Sequence, residues 1–243
     1  MSSVSSLELS DAVLRPVRGL HAFEACVEQL ATAIRLGVYP NGTSLPPERE
    51  LAGRVGVSRA TLREAIAALR EAGFVQTRRG RGGGSVVAYR PKAPSASAAR
   101  ALASRGGHLR DTLVFRRIVE PGACHLAASR EIGEAQRRLL DAAHEEVAAA
   151  TDPAEHRQAD SRFHLAIAAA TESALTIRAV SSVQADLHDM LNAIPVLAVN
   201  IEHSNEQHAG IVKAILAGNS VKARRVMEAH CDDTAALLRG LLD

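Results

Sequence analysis

Four side chains in the second half of the chain, Asp160, His164, His208 and His230, have the types and spacing of a metal site built across three helices. Asp160 and His164 lie four apart in QADSRFHLAIAAA, so on a helix both project from one face. The stretch EHSNEQHAGIVKAILAGNSVKARRVMEAHCDDTAALL reads as two helices broken at Gly218-Asn219. His208 stands about ten residues before that break and His230 about eleven after it. Folded as an antiparallel hairpin at about 1.5 Å per residue, the two histidines reach nearly the same height. Three imidazoles and one carboxylate suit zinc, or nickel or manganese, and leave room for a further ligand. Ordinary helical histidines are the competing reading, because the chain holds 10 His.

A second chemistry lies in the first third. Residues 49–81 hold eight Arg against three acids and no Lys. Planar, bidentate donors in excess suit a polyanion. The segment LPPERELAGRVGVSRATLREAIAALREAGF predicts a short helix entered at Pro47 and ended at Gly56, then a second helix capped by Ser58 and running to Gly73. Two helices joined by a tight Gly-containing turn make a helix-turn-helix. The second would carry Arg59, Thr61 and Arg63 on its first turns, where a helix in the major groove reaches base edges and phosphates. Arg49 can hold the DNA backbone. FVQTRR and SVVAY, separated by GRGGG, predict a β-hairpin wing with Arg79, Gly80 and Arg81 at its tip. The glycine-rich loop lacks the Gly-Lys-Ser/Thr ending of a phosphate cradle and leads into a strand.

The elements that position these groups are mainly helical. At 243 residues and 47% hydrophobic content the chain supports one large or two medium domains. Aromatics are only 2% and Trp is absent, so Ala and Leu fill a core that favours close-packed helices. HAFEACVEQLATAIR predicts an amphipathic helix before Gly37 and Pro40. Residues 91–108, rich in Pro, Ala, Ser and Gly, read as a linker, with a helical turn or more around Ala98–Ser104. Beyond them only helical periodicity is seen, at about 109–130, 132–150, 153–171, 174–192, 200–217 and 220–241, which predicts an antiparallel bundle. The expected division is a winged helix-turn-helix over 1–90, a linker over 91–108 and an all-helical domain over 109–243. Residues 1–90 carry net charge +4 and the remainder −2. Three scattered Cys with no C-x-x-C pair point to a reducing compartment. No long apolar run or signal pattern occurs, so the expectation is a soluble, cytoplasmic protein.

LPPERELAGRVGVSRATLREAIAALREAGFVQTRRGRGGGSV resembles the winged helix-turn-helix of GntR-type transcription regulators, through ERELA, the VSRxTLREA run and the RRGRG wing. The second half, with FRRIVEPGACHLAA, DSRFHLAIA, EQHAGIVKAI and MEAH, is similar to the FCD ligand domain of the FadR-like branch. The resemblance implies DNA-contacting positions at Arg49, Ser58, Arg59, Thr61, Arg63, Arg79 and Gly80, and metal ligands at Asp160, His164, His208 and His230. It also implies that a small organic acid binds, its carboxylate completing the metal's shell. Arg116 matches an Arg that can face the cavity; an i,i+4 pair with Glu120 is its alternative. Where many members carry Gly-Asn after the DSRFH helix, this chain has TESALT, with Ser173 near the Asn position.

These features predict a homodimeric repressor that binds a short palindromic operator in double-stranded DNA and is released by a small carboxylate at a metal-containing pocket. The alternatives are a metal-dependent hydrolase, for which Glu172 and Glu202 are unplaced candidates as general base, and a DNA-binding protein with a purely structural metal.

Overall fold

The computed structural model describes residues 22–78, 80, 84–91, 106–194 and 197–242. Two compact units are present, and the described chain passes from one to the other after Pro91.

In the first unit, α1 (Ala22–Arg35) buries Cys26, Leu30, Ala33 and Ile34, one stripe at helical spacing, against α3. The turn between α2 (Glu48–Val55) and α3 (Arg59–Glu71) is set by two residues. Gly56 ends α2 at φ 73, a left-handed conformation that glycine adopts without a Cβ penalty. Ser58 Oγ then accepts a 3.0 Å hydrogen bond from the Thr61 amide and caps α3. Leu62, Ala65, Ile66 and Leu69 of α3 are buried. Strands β1 (Val75–Arg78) and β2 (Gly84–Val87) pair antiparallel from Val75–Val87 to Arg78–Gly84, and Ser44 bridges to Val86. This is the winged helix-turn-helix that the sequence predicts.

The second unit contains six helices among the described residues: α4 (Gly106–Ala128), α5 (Glu134–Ala149), α6 (Pro153–Ala170), α7 (Ala174–Asn192), α8 (Ala198–Leu216) and α9 (Ser220–Leu242). α6 is the centre of the bundle. Twelve of its 18 residues are buried, as its run of small and apolar side chains on every face requires, and it packs against α4, α5 and α7. α8 and α9 form the expected hairpin. Gly218 turns the chain at φ 69, and Asn219 Oδ1 caps α9 by accepting from the Lys222 amide at 3.0 Å.

Helix ends differ from the sequence expectation by up to three residues. α4 begins at Gly106, inside the stretch read as linker, and α5 begins at Glu134 because Gly133 is extended at φ −66, ψ 163. The helical turn expected around Ala98–Ser104 lies outside the described residues. In TESALT, Glu172 takes the left-handed position at φ 52, and its carboxylate accepts from Arg130 at 2.6 Å and Gln136 at 2.9 Å. Ser173 Oγ accepts from the Thr176 amide at 3.2 Å, so serine makes the cap that Asn commonly makes.

The start of α6 is fixed by Asp152, whose Oδ1 accepts from the amides of Ala154 and Glu155 at 2.9 and 3.0 Å. Asp152→Ala should therefore destabilise the second unit by about 1 kcal/mol and Asp152→Asn by much less, measured by urea unfolding. Equal losses in both variants would show that the side-chain cap does not set the stability of α6.

Candidate metal centre and nucleic-acid interface

The bundle brings Asp160, His164, His208 and His230 together, with one ligand atom from each lying within 4.8 Å of the others. α6 supplies Asp160 and His164 from one face, α8 supplies His208 and α9 supplies His230. The ring centroids of His208 and His230 are 4.8 Å apart, as matched heights in the hairpin require, and His164 lies 5.6 and 5.2 Å from them. Asp160 Oδ1 is 3.4 Å from His208 Nε2, and Oδ2 is 4.0 Å from His164 Nε2. All three imidazoles are buried, and Phe163 packs its ring 4.3 Å from His208.

Arg116 is paired within its own helix and also lines a cavity. Its Nε donates to Glu120 Oε2 at 2.9 Å in a fully buried pair, and the same side chain lines a cavity of about 170 Å³. Its Nη2 is 3.5 Å from His164 Nε2, while Nη1 is buried with no hydrogen-bond partner. Glu120 also accepts from Gln184 at 2.6 Å, and its Oε2 lies 3.0 Å from His164 Nδ1, close but outside aligned hydrogen-bond geometry. Although burial opposes its charge, the neighbouring Arg116 and His164 hold the Glu120 carboxyl well below the ordinary carboxylate range. Asp160 and His230 open onto the cavity. Its remaining wall mixes aliphatic side chains, Leu187, Ile194, Ile201 and Leu237 among them, with polar ones such as Arg157 and Asp233.

Burial, then the neighbouring His164 and Arg116 among other cations, pushes the pKa of His208 far below its ordinary value. His230 is depressed the same way, by burial first and then by His208 and Arg116, against the opposing pull of Asp160. Both rings are thus neutral and carry a lone pair. Buried nitrogens without hydrogen-bond partners occur on all three rings: His164 Nδ1, His208 Nδ1 and His230 Nε2. A polar atom buried without a partner is costly. Neutral imidazoles beside a carboxylate are the donor set a divalent transition metal takes, so these residues fit such an ion.

In the first unit, Arg49, Ser58, Arg59 and Arg63 are exposed, with Thr61 half-buried beside Ser58. Glu48, at the start of α2, holds Arg63 Nε at 2.7 Å and stands 3.9 Å from Arg59 Nη2. It therefore draws these two arginines of α3 together. Gly80 is exposed at φ 105 in the hairpin turn, with open space where a Cβ would stand. Arg79 lies outside the described residues.

Comparison with known proteins gives the class. Residues 23–84 match the model of the gntR family of bacterial regulatory proteins, and residues 111–233 match the FCD domain. The chain is similar to RmpR of Mycobacterium gastri, 32% identical over 90% of this chain and 80% of that one. It is also similar to the Glc operon transcriptional activator of Escherichia coli, 30% identical over 85% of each. The solved structure of E. coli McbR/YncC shares the fold, with TM-score 0.55 and 15% identity over 91% of this chain and 99% of that one. The chain belongs to the GntR family of DNA-binding transcription regulators and carries an FCD domain; it is not an enzyme. Glu172, one candidate base, is exposed and engaged by Arg130, and Glu202 is exposed and absent from the cavity wall. No helix among the described residues is long and apolar enough to cross a membrane.

Sequence reasoning missed Glu120 as a partner of His164, and Gln207 and Asp233 beside His230. Glu120 and Gln207 are joined to their histidines only by tertiary packing, while Asp233 follows His230 by one helical turn in α9; the other local signal was the i,i+4 spacing of Arg116 and Glu120.

The depressed histidines set the pH response of the metal-free protein. The unfolded chain takes up protons near pH 6.5, while the folded rings take them up only at lower pH. Stability is therefore full above about pH 6.5 and is lost as pH falls below it. The thermal midpoint should decline on acidification from pH 7, and replacing His208 and His230 by Asn should flatten that decline. An equally steep decline in the double variant would locate the linkage elsewhere.

Proposed function

We propose that this regulator senses a small carboxylate at a metal-containing pocket and couples its binding to operator affinity. The observation that carries this reading is the convergence of three buried imidazoles on Asp160 at the edge of a cavity into which an arginine is built. Asp160, His164, His208 and His230 would hold the metal, with zinc preferred to nickel or manganese for an imidazole-rich set. When bound, the ion supplies an electrophilic site for a carboxylate oxygen. Arg116 would bind the effector's second oxygen through Nη1, which has no other partner.

On the DNA side we assign contacts to Arg49, Ser58, Arg59, Thr61, Arg63, Arg79 and Gly80, and the winged domain to residues 1–90. The operator would be a short palindrome read by a homodimer. Val114, Phe115 and Ile118, exposed on neighbouring turns of α4, support a self-associating face on the second unit. The protein would act in the cytoplasm, as a repressor where its operator overlaps a promoter.

Arg59→Ala and Arg63→Ala should each weaken specific operator binding by roughly 1–3 kcal/mol per lost base contact, measured by fluorescence anisotropy at fixed salt. Unchanged affinity in both variants would remove α3 from the interface.

Effector and operator must weaken each other by one common factor, typically about 5–150-fold. Operator titrations with and without a panel of small carboxylates measure it. Asp160→Ala and His164→Ala should abolish the response, and Arg116→Ala should weaken effector binding. Full retention of the response in the metal-site variants would make any metal structural and place sensing elsewhere.

A further inference from the structure

Gln207 stands between the cavity wall and one of the four clustered side chains. Its Nε2 donates to Asp233 Oδ2 at 2.7 Å, and its Oε1 lies 3.0 Å from His230 Nδ1. His203 Nε2 reaches the same Asp233 oxygen at 3.0 Å. His203, Gln207, His230 and Asp233 all line the cavity of about 170 Å³.

The chemistry of this chain runs in one direction. A carboxylate oxygen accepts, so Asp233 fixes the amide of Gln207 with its N–H side outward and its carbonyl oxygen toward His230. A carbonyl oxygen also only accepts, so His230 Nδ1 must carry the proton. In the neutral ring the other nitrogen is then bare. That nitrogen, Nε2, is buried and without a hydrogen-bond partner, on a ring 5.2 Å from His164 and 4.8 Å from His208. The chain of acceptors thus aims one lone pair at the cluster. His164 has a parallel arrangement, its Nδ1 lying 3.0 Å from Glu120 Oε2. Glu120 is tied into a fully buried pair with Arg116, whereas Gln207 is half-buried, so Gln207 can be changed without opening the core.

We infer that Gln207 is a positioning residue for the metal centre, locking the tautomer and ring orientation of His230 under the control of Asp233. This rests on the metal reading given above. It also gives the cavity a route to the centre that does not require direct contact with the ion: a ligand group that takes Asp233 or Gln207 as its own partner loosens the hold on His230.

The test uses the full chain and cobalt(II) as the metal probe, with affinity measured by competition against a chromophoric chelator. The His230 tautomer is read separately in the metal-free protein from long-range proton–nitrogen correlations. Wild type should hold His230 as the Nδ1–H form. Gln207→Ala should lose that preference and bind cobalt about 10–100-fold more weakly. The double variant Gln207→Glu with Asp233→Asn keeps an acceptor toward His230, reverses the polarity of the second bond and leaves net charge unchanged. It should recover both tautomer and affinity. Wild-type cobalt affinity in Gln207→Ala would overturn the inference alone, as would failure of the double variant to recover. No cobalt binding by wild type would overturn the metal reading and this inference with it.

Discussion

Burying three imidazoles around one carboxylate is the constraint on which the second unit depends. Withdrawn from water and beside Arg116, His208 and His230 are held neutral, and neither can find enough protein partners for both nitrogens. Such an arrangement costs stability unless something accepts the lone pairs. The fold holds the cost in place with rigid elements. α6 is buried on nearly every face, the α8–α9 hairpin is pinned by Gly218 and Asn219, and the Arg116–Glu120 pair anchors α4 to His164. A cluster this specific, assembled by three helices, borders the cavity, because Asp160 and His230 reach its wall.

The cavity wall combines polar side chains, Arg116, Asp160 and the Gln207–Asp233 pair among them, with the aliphatic ones of Leu187, Ile194, Ile201 and Leu237. The proposed carboxylate effector would meet Arg116 with its charge and the aliphatic side chains with its carbon skeleton. The first unit has its own electrostatic tension. Glu48 gathers Arg63 and Arg59, so in the proposed DNA contact a phosphate or base edge would compete with a carboxylate for the same donors.

Much of this was legible in the sequence because its signals are local. The i,i+4 spacing of Asp160 and His164, the Gly218-Asn219 break that matches the heights of His208 and His230, and the Gly56 and Ser58 punctuation of the helix-turn-helix each act within one or two turns of chain. What was not legible depends on packing between distant segments. Glu120 and His164 are 44 positions apart, and Gln207 and His230 are 23 apart; no periodicity records which rotamers meet. Arg116 shows the limit best. The i,i+4 pair with Glu120 stood as the alternative to a place at the cavity, yet a guanidinium has five donors, and this one pairs with Glu120 while lining the cavity. The start of α4 at Gly106 was hidden for a different reason, since Gly106 and Gly107 have the composition of a linker.

The central claim is that the His/Asp cluster is a metal centre. Anomalous diffraction from crystals of the full-length protein equilibrated with zinc, collected on either side of the zinc edge, tests it most directly. A single strong anomalous peak bounded by Asp160, His164, His208 and His230 is expected, and it should vanish in His230→Ala crystals. No peak there, or a peak held by other residues, would contradict the claim.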